Sequence, residues 1–180
     1  MDSWMMQFLQ PQNISGEKKV LNLTPEKCTG CRTCELACSF KHSQEFRPSA
    51  SRVSVLTWES SGVSVPMLCL QCDNASCLKV CPTGAIARTE SGPITINESR
   101  CLKCKMCAVA CKMGNVGYDE QTHTMLKCDF CNGDPVCAKF CPSGAIAYED
   151  AVTVNLKKKK VYAEKLMQLL QEGDSECSVG

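Results

Sequence analysis

A chain of 180 residues with a formal charge of +1 has room for one domain, or for two small ones that share a core. Only 6% of it is aromatic while 17 residues are cysteine, so a disulfide or metal scaffold is expected in place of an ordinary side-chain core. No basic face is interleaved with aromatics, which excludes nucleic acid, and no apolar run approaches the roughly 20 residues that cross a bilayer.

The opening MDSWMMQFLQPQ has no basic n-region, continuous apolar stretch or twin arginine, so the reading is cytoplasmic. Thiols stay reduced there, and clustered cysteines bind metal in preference to pairing as disulfides. After an extension over 1–17, Val20–Leu23 reads as a strand leading into Cys28, Cys31, Cys34 and Cys38, spaced C-x2-C-x2-C-x3-C. A long insert, Ser39–Leu68, follows, with Arg47, Arg52 and Trp58 as expected partner contacts. His42 is read as a loop histidine beside the first group, with a proton-coupled role as the alternative. The second group is Cys69, Cys72, Cys77 and Cys81, spaced C-x2-C-x4-C-x3-C and closed by Pro82. Ile86–Arg88 and Ile94–Ile96 read as strands joined at Glu90-Ser91-Gly92-Pro93.

Cys101, Cys104, Cys107 and Cys111 then repeat the first spacing, and His123 lies in a polar surface stretch. Cys128, Cys131, Cys137 and Cys141 resemble the second group with one extra residue, and Pro142 follows. The third cysteine of each group is expected to open a short helical turn, as in ELACS and AVACK. Ile146–Tyr148 and Val152–Val154 read as a further hairpin around Glu149-Asp150. The period then changes to helical over Leu156–Gln171, with Tyr162, Leu166, Leu169 and Leu170 on one stripe, Asn155 as N-cap and Gly173 as stop. Lys157–Lys160 on this helix are read as a solvated end or a contact for an acidic partner, and the odd Cys177 as a free thiol.

The four groups form a duplicated pair. CPTGAIA after the second is echoed by CPSGAIA after the fourth, and LNLTPEKC before the first by ITINESRC before the third. The halves differ chiefly in spacing, with 30 residues between the first two groups and 16 between the last two.

Three cysteines at C-x2-C-x2-C wrap one cubane cluster, and the fourth, three residues on, reaches the neighbouring cluster. Structural zinc prefers two ligand pairs with a long spacer; zinc or a missing cluster at one site is retained as the alternative, with the widened fourth group the place to look. The swap assigns Cys69, Cys72 and Cys77 with Cys111, and Cys101, Cys104 and Cys107 with Cys81. The outer groups are left to pair, Cys28, Cys31 and Cys34 with Cys141, and Cys128, Cys131 and Cys137 with Cys38. Four clusters with their thiolates turn the formal +1 into about −7. Arg32, Lys79, Lys103, Lys105, Lys112, Lys127 and Lys139 are counter-charges to them, or plain surface charge.

The expected fold is α+β, two interleaved bacterial-ferredoxin-like dicluster units with short hairpins, a long loop insert and a C-terminal helix. The four-cluster body covers 18–155, with an inner unit at about 66–112, an outer unit from 18–40 and 125–155, and the insert at 39–68; 156–180 carry the helix and tail.

Residues 18 to 155 resemble the four-cluster subunits of molybdenum and tungsten pterin oxidoreductases, as in dimethyl sulfoxide reductase and formate dehydrogenase. CTGCRTCELACSFKHSQEFRPSASRV resembles more narrowly the small subunits accompanying tungsten aldehyde oxidoreductases and the ATP-independent benzoyl-CoA reductase. Partners of carbon monoxide dehydrogenase and hydrogenase share parts of the pattern. The resemblance implies a non-catalytic subunit with four [4Fe–4S] clusters, relaying single electrons between a large tungsten or molybdenum pterin subunit and a flavoprotein or ferredoxin. No nucleotide-binding glycine loop or nucleophile–base pair argues for catalysis by the chain itself. A free polyferredoxin, shuttling between partners, is the alternative.

Overall fold

The computed structural model describes residues 18–90 and 92–176. Its strands are short and paired in twos. β1 (Lys19–Leu23) pairs with β8 (Ile146–Asp150), β2 (Val53–Trp58) with β3 (Val63–Leu68), β4 (Ile86–Arg88) with β5 (Ile94–Ile96), and β6 (Val116–Asp119) with β7 (Thr124–Lys127). Four short helices each start one residue ahead of a third cysteine: α1 (Thr33–Ser43), α2 (Ser76–Lys79), α3 (Met106–Ala110) and α4 (Val136–Lys139). A long helix, α5 (Ala151–Glu176), follows β8.

The chain divides into two compact units, one of Leu23–Ala147 and one of the two chain ends, through Asn22 and from Tyr148. The Leu23–Ala147 unit contains all sixteen grouped cysteines. Within it α1 packs on α4 and α2 on α3. Its core mixes cysteine with small apolar side chains: Ala75, Cys77, Ile86, Ile94, Cys107, Val116 and Met125 are all buried. This is the thin core that the low aromatic content implied.

The hairpin β4–β5 matches the sequence reading, with Ile86 opposite Ile96 and Arg88 opposite Ile94. The second expected hairpin does not form. Val152–Val154 is helical, because the ladder position beside β8 is taken by β1. Thr24 N–H donates to Ala145 C=O at 2.9 Å and Ala151 N–H to Lys18 C=O at 3.0 Å, which runs the two strands antiparallel. With the ladder closed at Ala151, the β-branched Val-Thr-Val follows the helix, tertiary context overriding its propensity. The helix therefore begins four residues before the expected cap at Asn155, and it continues through Gly173 to Glu176. Tyr162, Leu166, Leu169 and Leu170 are exposed on it.

The β1–β8 pair is the counterpart of β5–β4. Asn97 N–H donates to Ala85 C=O at 2.8 Å as Thr24 N–H does to Ala145 C=O. In the same repeat, β2–β3 after the first group corresponds to β6–β7 after the third. The insert Ser39–Leu68 is thus an enlarged hairpin, not a loop: α1 runs on to Ser43, a 3-10 turn spans Pro48–Ala50, and the hairpin follows.

Candidate metal centres

Each group wraps with the help of left-handed residues, and in the first and third groups these alternate with ordinary ones. Gly30 and Arg32 have φ of 68° and 57°, and their repeat counterparts Lys103 and Lys105 have 58° and 61°. Gln71 and Phe130, one residue before the second cysteines of their groups, have 49° and 57°. Such alternation turns successive N–H groups into one concavity, a nest for an anionic centre. In the widened fourth group the left-handed stretch extends over Phe130, Cys131 and Asn132, which accommodates the extra residue. After the fourth cysteines, Gly84 and Gly144 (φ 60° and 66°) close matching turns onto Cys81 C=O and Cys141 C=O, each at 3.3 Å.

The loops bring the cysteines together in fours. Cys69, Cys72, Cys77 and Cys111 line a cavity of about 120 Å³ with Gln71, Ile94 and Lys127. Cys81, Cys101, Cys104 and Cys107 line a smaller one. Cys28, Cys31, Cys34 and Cys141 line a third, walled by Val55 and Pro66 of the insert hairpin. In the fourth set, the Cys137 thiol lies within electrostatic reach of Cys128, Cys38 and Cys131. All sixteen are free thiols.

Burial is the main influence on the inner members of each set. It pushes Cys34 and Cys128 up to about 12, and raises Cys137, Cys77 and Cys107 as well. Such thiols hold their protons at neutral pH until a cation displaces them, so metal loading releases protons. The two Cys-Pro cysteines behave alike and differently from these. Burial raises Cys81, but the Ile86 N–H, Thr83 hydroxyl and Ala85 N–H outweigh it and leave the thiol lowered. At Cys141 the Ile146 N–H, Ser143 hydroxyl and Ala145 N–H do the same. Further donors reach sulfur from Arg52 N–H to Cys38 (3.3 Å), Lys103 N–H to Cys101 (3.4 Å) and the Thr33 hydroxyl to Cys31 (3.4 Å). Hydrogen bonds to sulfur are one means by which a protein sets a cluster's potential.

Several charged residues hold positions that the sequence did not disclose. Arg47 forms a two-pronged ion pair with the buried Asp119 (2.8 Å on both arms), and Arg52 pairs with Asp129 at 3.0 Å. Both arginines, expected at a partner surface, are committed inside the unit; Trp58 alone of the three expected contacts is exposed. His42 belongs to the last turn of α1, not to a loop. Its Nε2 lies 3.7 Å from Cys131 Sγ and 3.7 Å from Asp129, and burial together with Arg52 holds it below its ordinary value. Among the described residues these three donors are the one grouping of His, Cys, Asp or Glu ligand atoms compact enough for a single metal ion. His123 is exposed and meets the Tyr118 hydroxyl at 3.1 Å. Among the expected counter-charges, Lys105 lies over the Tyr118 ring and Lys139 pairs with Asp134, both near solvent. Lys127 is different, being buried with its Nζ 3.4 Å from Cys69 Sγ. Lys157 pairs with Glu149, and Lys158 to Lys160 are exposed; the extension 1–17 and Cys177 lie outside the described residues.

Thiols gathered in fours, free of disulfides and wrapped by left-handed N–H nests, fit iron–sulfur clusters and define an iron–sulfur protein. Residues 61–151 match the 4Fe-4S dicluster domain, and residues 27–86 match a second family of the same description. The chain belongs to the 4Fe-4S dicluster family. It is 37% identical over 114 residues to the polyferredoxin-like subunit of aliphatic sulfonate oxidoreductase from Pyrococcus furiosus, covering 63% of this chain and 65% of that one. It is 43% identical over 91 residues to formate hydrogenlyase subunit 2 of Escherichia coli, covering 51% of this chain and 43% of that one. The chain thus spans less than two thirds of the length of these curated relatives. A solved structure titled as the active site complex BamBC of benzoyl coenzyme A reductase with 1,5-dienoyl-CoA aligns over 74% of this chain and 76% of that one. Its identity is 24% and its TM-score 0.46. Among the described residues no helix is long and apolar enough to cross a membrane.

Proposed function

We propose that the chain is the electron-transfer subunit of a cytoplasmic tungsten or molybdenum pterin oxidoreductase complex, carrying four [4Fe–4S] clusters and no catalytic residues of its own. The observation that carries this reading is the gathering of sixteen free cysteines into four sets, each with three members from one group and the fourth from another. The proposed ligands are Cys28, Cys31, Cys34 and Cys141; Cys128, Cys131, Cys137 and Cys38; Cys69, Cys72, Cys77 and Cys111; and Cys101, Cys104, Cys107 and Cys81. When bound, the clusters supply one-electron transfer, and the chain's part is to hold and space them.

Packing between neighbouring sites supports a linear order. Packing of α2 on α3 holds the two inner sites together, and packing of α1 on α4 the two outer ones. The lines meet where Gln71 Nε2 donates to Cys128 C=O at 2.6 Å. The order is then Cys81 set, Cys69 set, Cys128 set, Cys28 set, with a pterin subunit docked at one end and a flavoprotein or ferredoxin at the other. The name of the P. furiosus relative supports a subunit role, and that of formate hydrogenlyase subunit 2 favours, as a second reading, a hydrogenase-type complex.

Anaerobically purified protein should contain about sixteen irons and sixteen acid-labile sulfides per chain, at four per cluster. Stoichiometric zinc with little sulfide overturns the cluster reading. Capture from native extract should bring a pterin-metal subunit with it; a monomer that exchanges electrons with several unrelated enzymes is instead a free polyferredoxin.

A further inference from the structure

The second and fourth groups are repeats, so Cys69 corresponds to Cys128, Leu68 to Lys127 and Gln71 to Phe130. Leu68 and Phe130 are buried and apolar, at 2% and 7% exposure. Gln71 and Lys127 are as deeply buried, at 7% and 4%, but polar. Between the second and fourth groups the duplication is therefore broken in the interior, and the break is a cation with an amide.

Every partner of Lys127 Nζ is an acceptor: Ile94 C=O at 2.7 Å, Cys128 C=O at 3.3 Å, Gln71 Oε1 at 3.4 Å and Cys69 Sγ at 3.4 Å. An all-acceptor shell suits an ammonium, which donates only. Gln71 is fixed in turn by the Ile94 N–H at 2.7 Å and by its own bond to Cys128 C=O. Among the described residues Lys127 has no carboxylate partner. The contrast at the repeat site is direct: Arg52 approaches the Cys128 set, but Asp129 pairs with it at 3.0 Å and offsets its charge. A buried pair separated by a low-dielectric interior interacts far more strongly than one in water.

Resting on the proposed cluster function, we infer that Lys127 is a positioning residue that raises the reduction potential of the site of Cys69, Cys72, Cys77 and Cys111 above that of its repeat, Cys128, Cys131, Cys137 and Cys38. The step is one electron passing between adjacent sites. The accepting site goes from 2− to 3− and the donating site from 3− to 2−, with no bond made or broken and no proton moved. A fixed positive charge beside Cys69 favours the 3− form, so the Cys69 set holds an electron in preference to its repeat mate, the Cys128 set.

The test is a redox titration of the full, anaerobically purified chain, followed by electron paramagnetic resonance. Lys127→Met should lower one cluster potential, with about a tenfold change in its reduction equilibrium, or about 59 mV for one electron. The other three serve as internal controls, and Lys127→Arg should largely retain the parent value. No shift in a fully loaded Lys127→Met protein overturns the inference, as does an equal shift of all four clusters or the same shift in Lys127→Arg. Should Lys127→Met lose iron, Lys127→Gln, which retains donors without charge, is titrated in its place. Iron loss in both with retention in Lys127→Arg makes the residue a strut and also overturns the inference. A parent protein without iron and sulfide overturns the cluster reading itself, a distinguishable result.

Discussion

The inner and outer cysteine groups, with the strands that flank them, use the same parts in different order. In the inner half the second group, the β4–β5 hairpin and the third group follow one another along the chain. In the outer half the fourth group and β8 come last while β1 and the first group come first, so the same ladder is closed by strands from opposite ends of the sequence. The difference teaches that the motif tolerates permutation because each cysteine loop is locally self-sufficient. Its left-handed residues and short helix form the loop, and only the fourth cysteine has to find another one.

Exchanging fourth ligands should break this comparison most severely. Cys111→Ser is expected to damage the site of Cys69, Cys72 and Cys77, whereas Cys141→Ser should damage the site of Cys28, Cys31 and Cys34 at the far end of the sequence. Each should lose about four irons per chain, and resolved paramagnetic signals would identify the missing cluster. Loss of the cluster nearest in sequence would refute the exchange.

A second difference lies at matching loop positions. Gly30 and Lys103 share a left-handed backbone, but a Cβ at Gly30 would lie 2.7 Å from Ser64 Oγ of the insert hairpin. Gly30→Ala should therefore destabilise by about 1–2 kcal/mol from the backbone alone, with the close contact added, while Lys103→Ala leaves the unfolding midpoint nearly unchanged. Equal effects would mean the hairpin yields freely. The ion pair between Arg47 of the insert and Asp119 of β6 comes next in size. Asp119→Ala removes the two-pronged partner of Arg47, and should hasten loss of the outer clusters on warming before that of the inner ones, as followed by bleaching of visible absorbance. Smallest of all, deleting residues from Leu156 onward removes none of the sixteen grouped cysteines and should leave the iron content unaltered. If it does not, α5 is a structural lid.

What the sequence disclosed and what it hid divide along the same line. Cysteine spacing, the Cys-Pro turns and the β4–β5 hairpin are local, and each was readable residue by residue. Val152–Val154 misleads because its β-branched run carries no sign that β1, about 130 residues earlier, already fills the place beside β8. Arg47 and Arg52 looked like surface cations for the same reason, since Asp119 and Asp129 are distant in sequence. Lys127 was one of several basic residues near cysteines, and only burial separates it from Lys105 or Lys139. The signal was present in the alignment of the repeats, where a lysine stands opposite Leu68.

The permuted order has a temporal side. Synthesis releases the chain from its N-terminus at roughly 5–20 residues per second. Under the proposed ligand set, Cys28, Cys31 and Cys34 emerge first and then wait for Cys141, about 100 residues behind, for roughly 5–20 s. The inner sets are complete by Cys111, while Cys38 still has no companions. Inner sites can thus mature on a growing chain and give the later cysteines a finished surface on which to fold. The first thiols spend that interval uncapped, so the time of greatest vulnerability to oxygen or stray metal falls before the protein is whole.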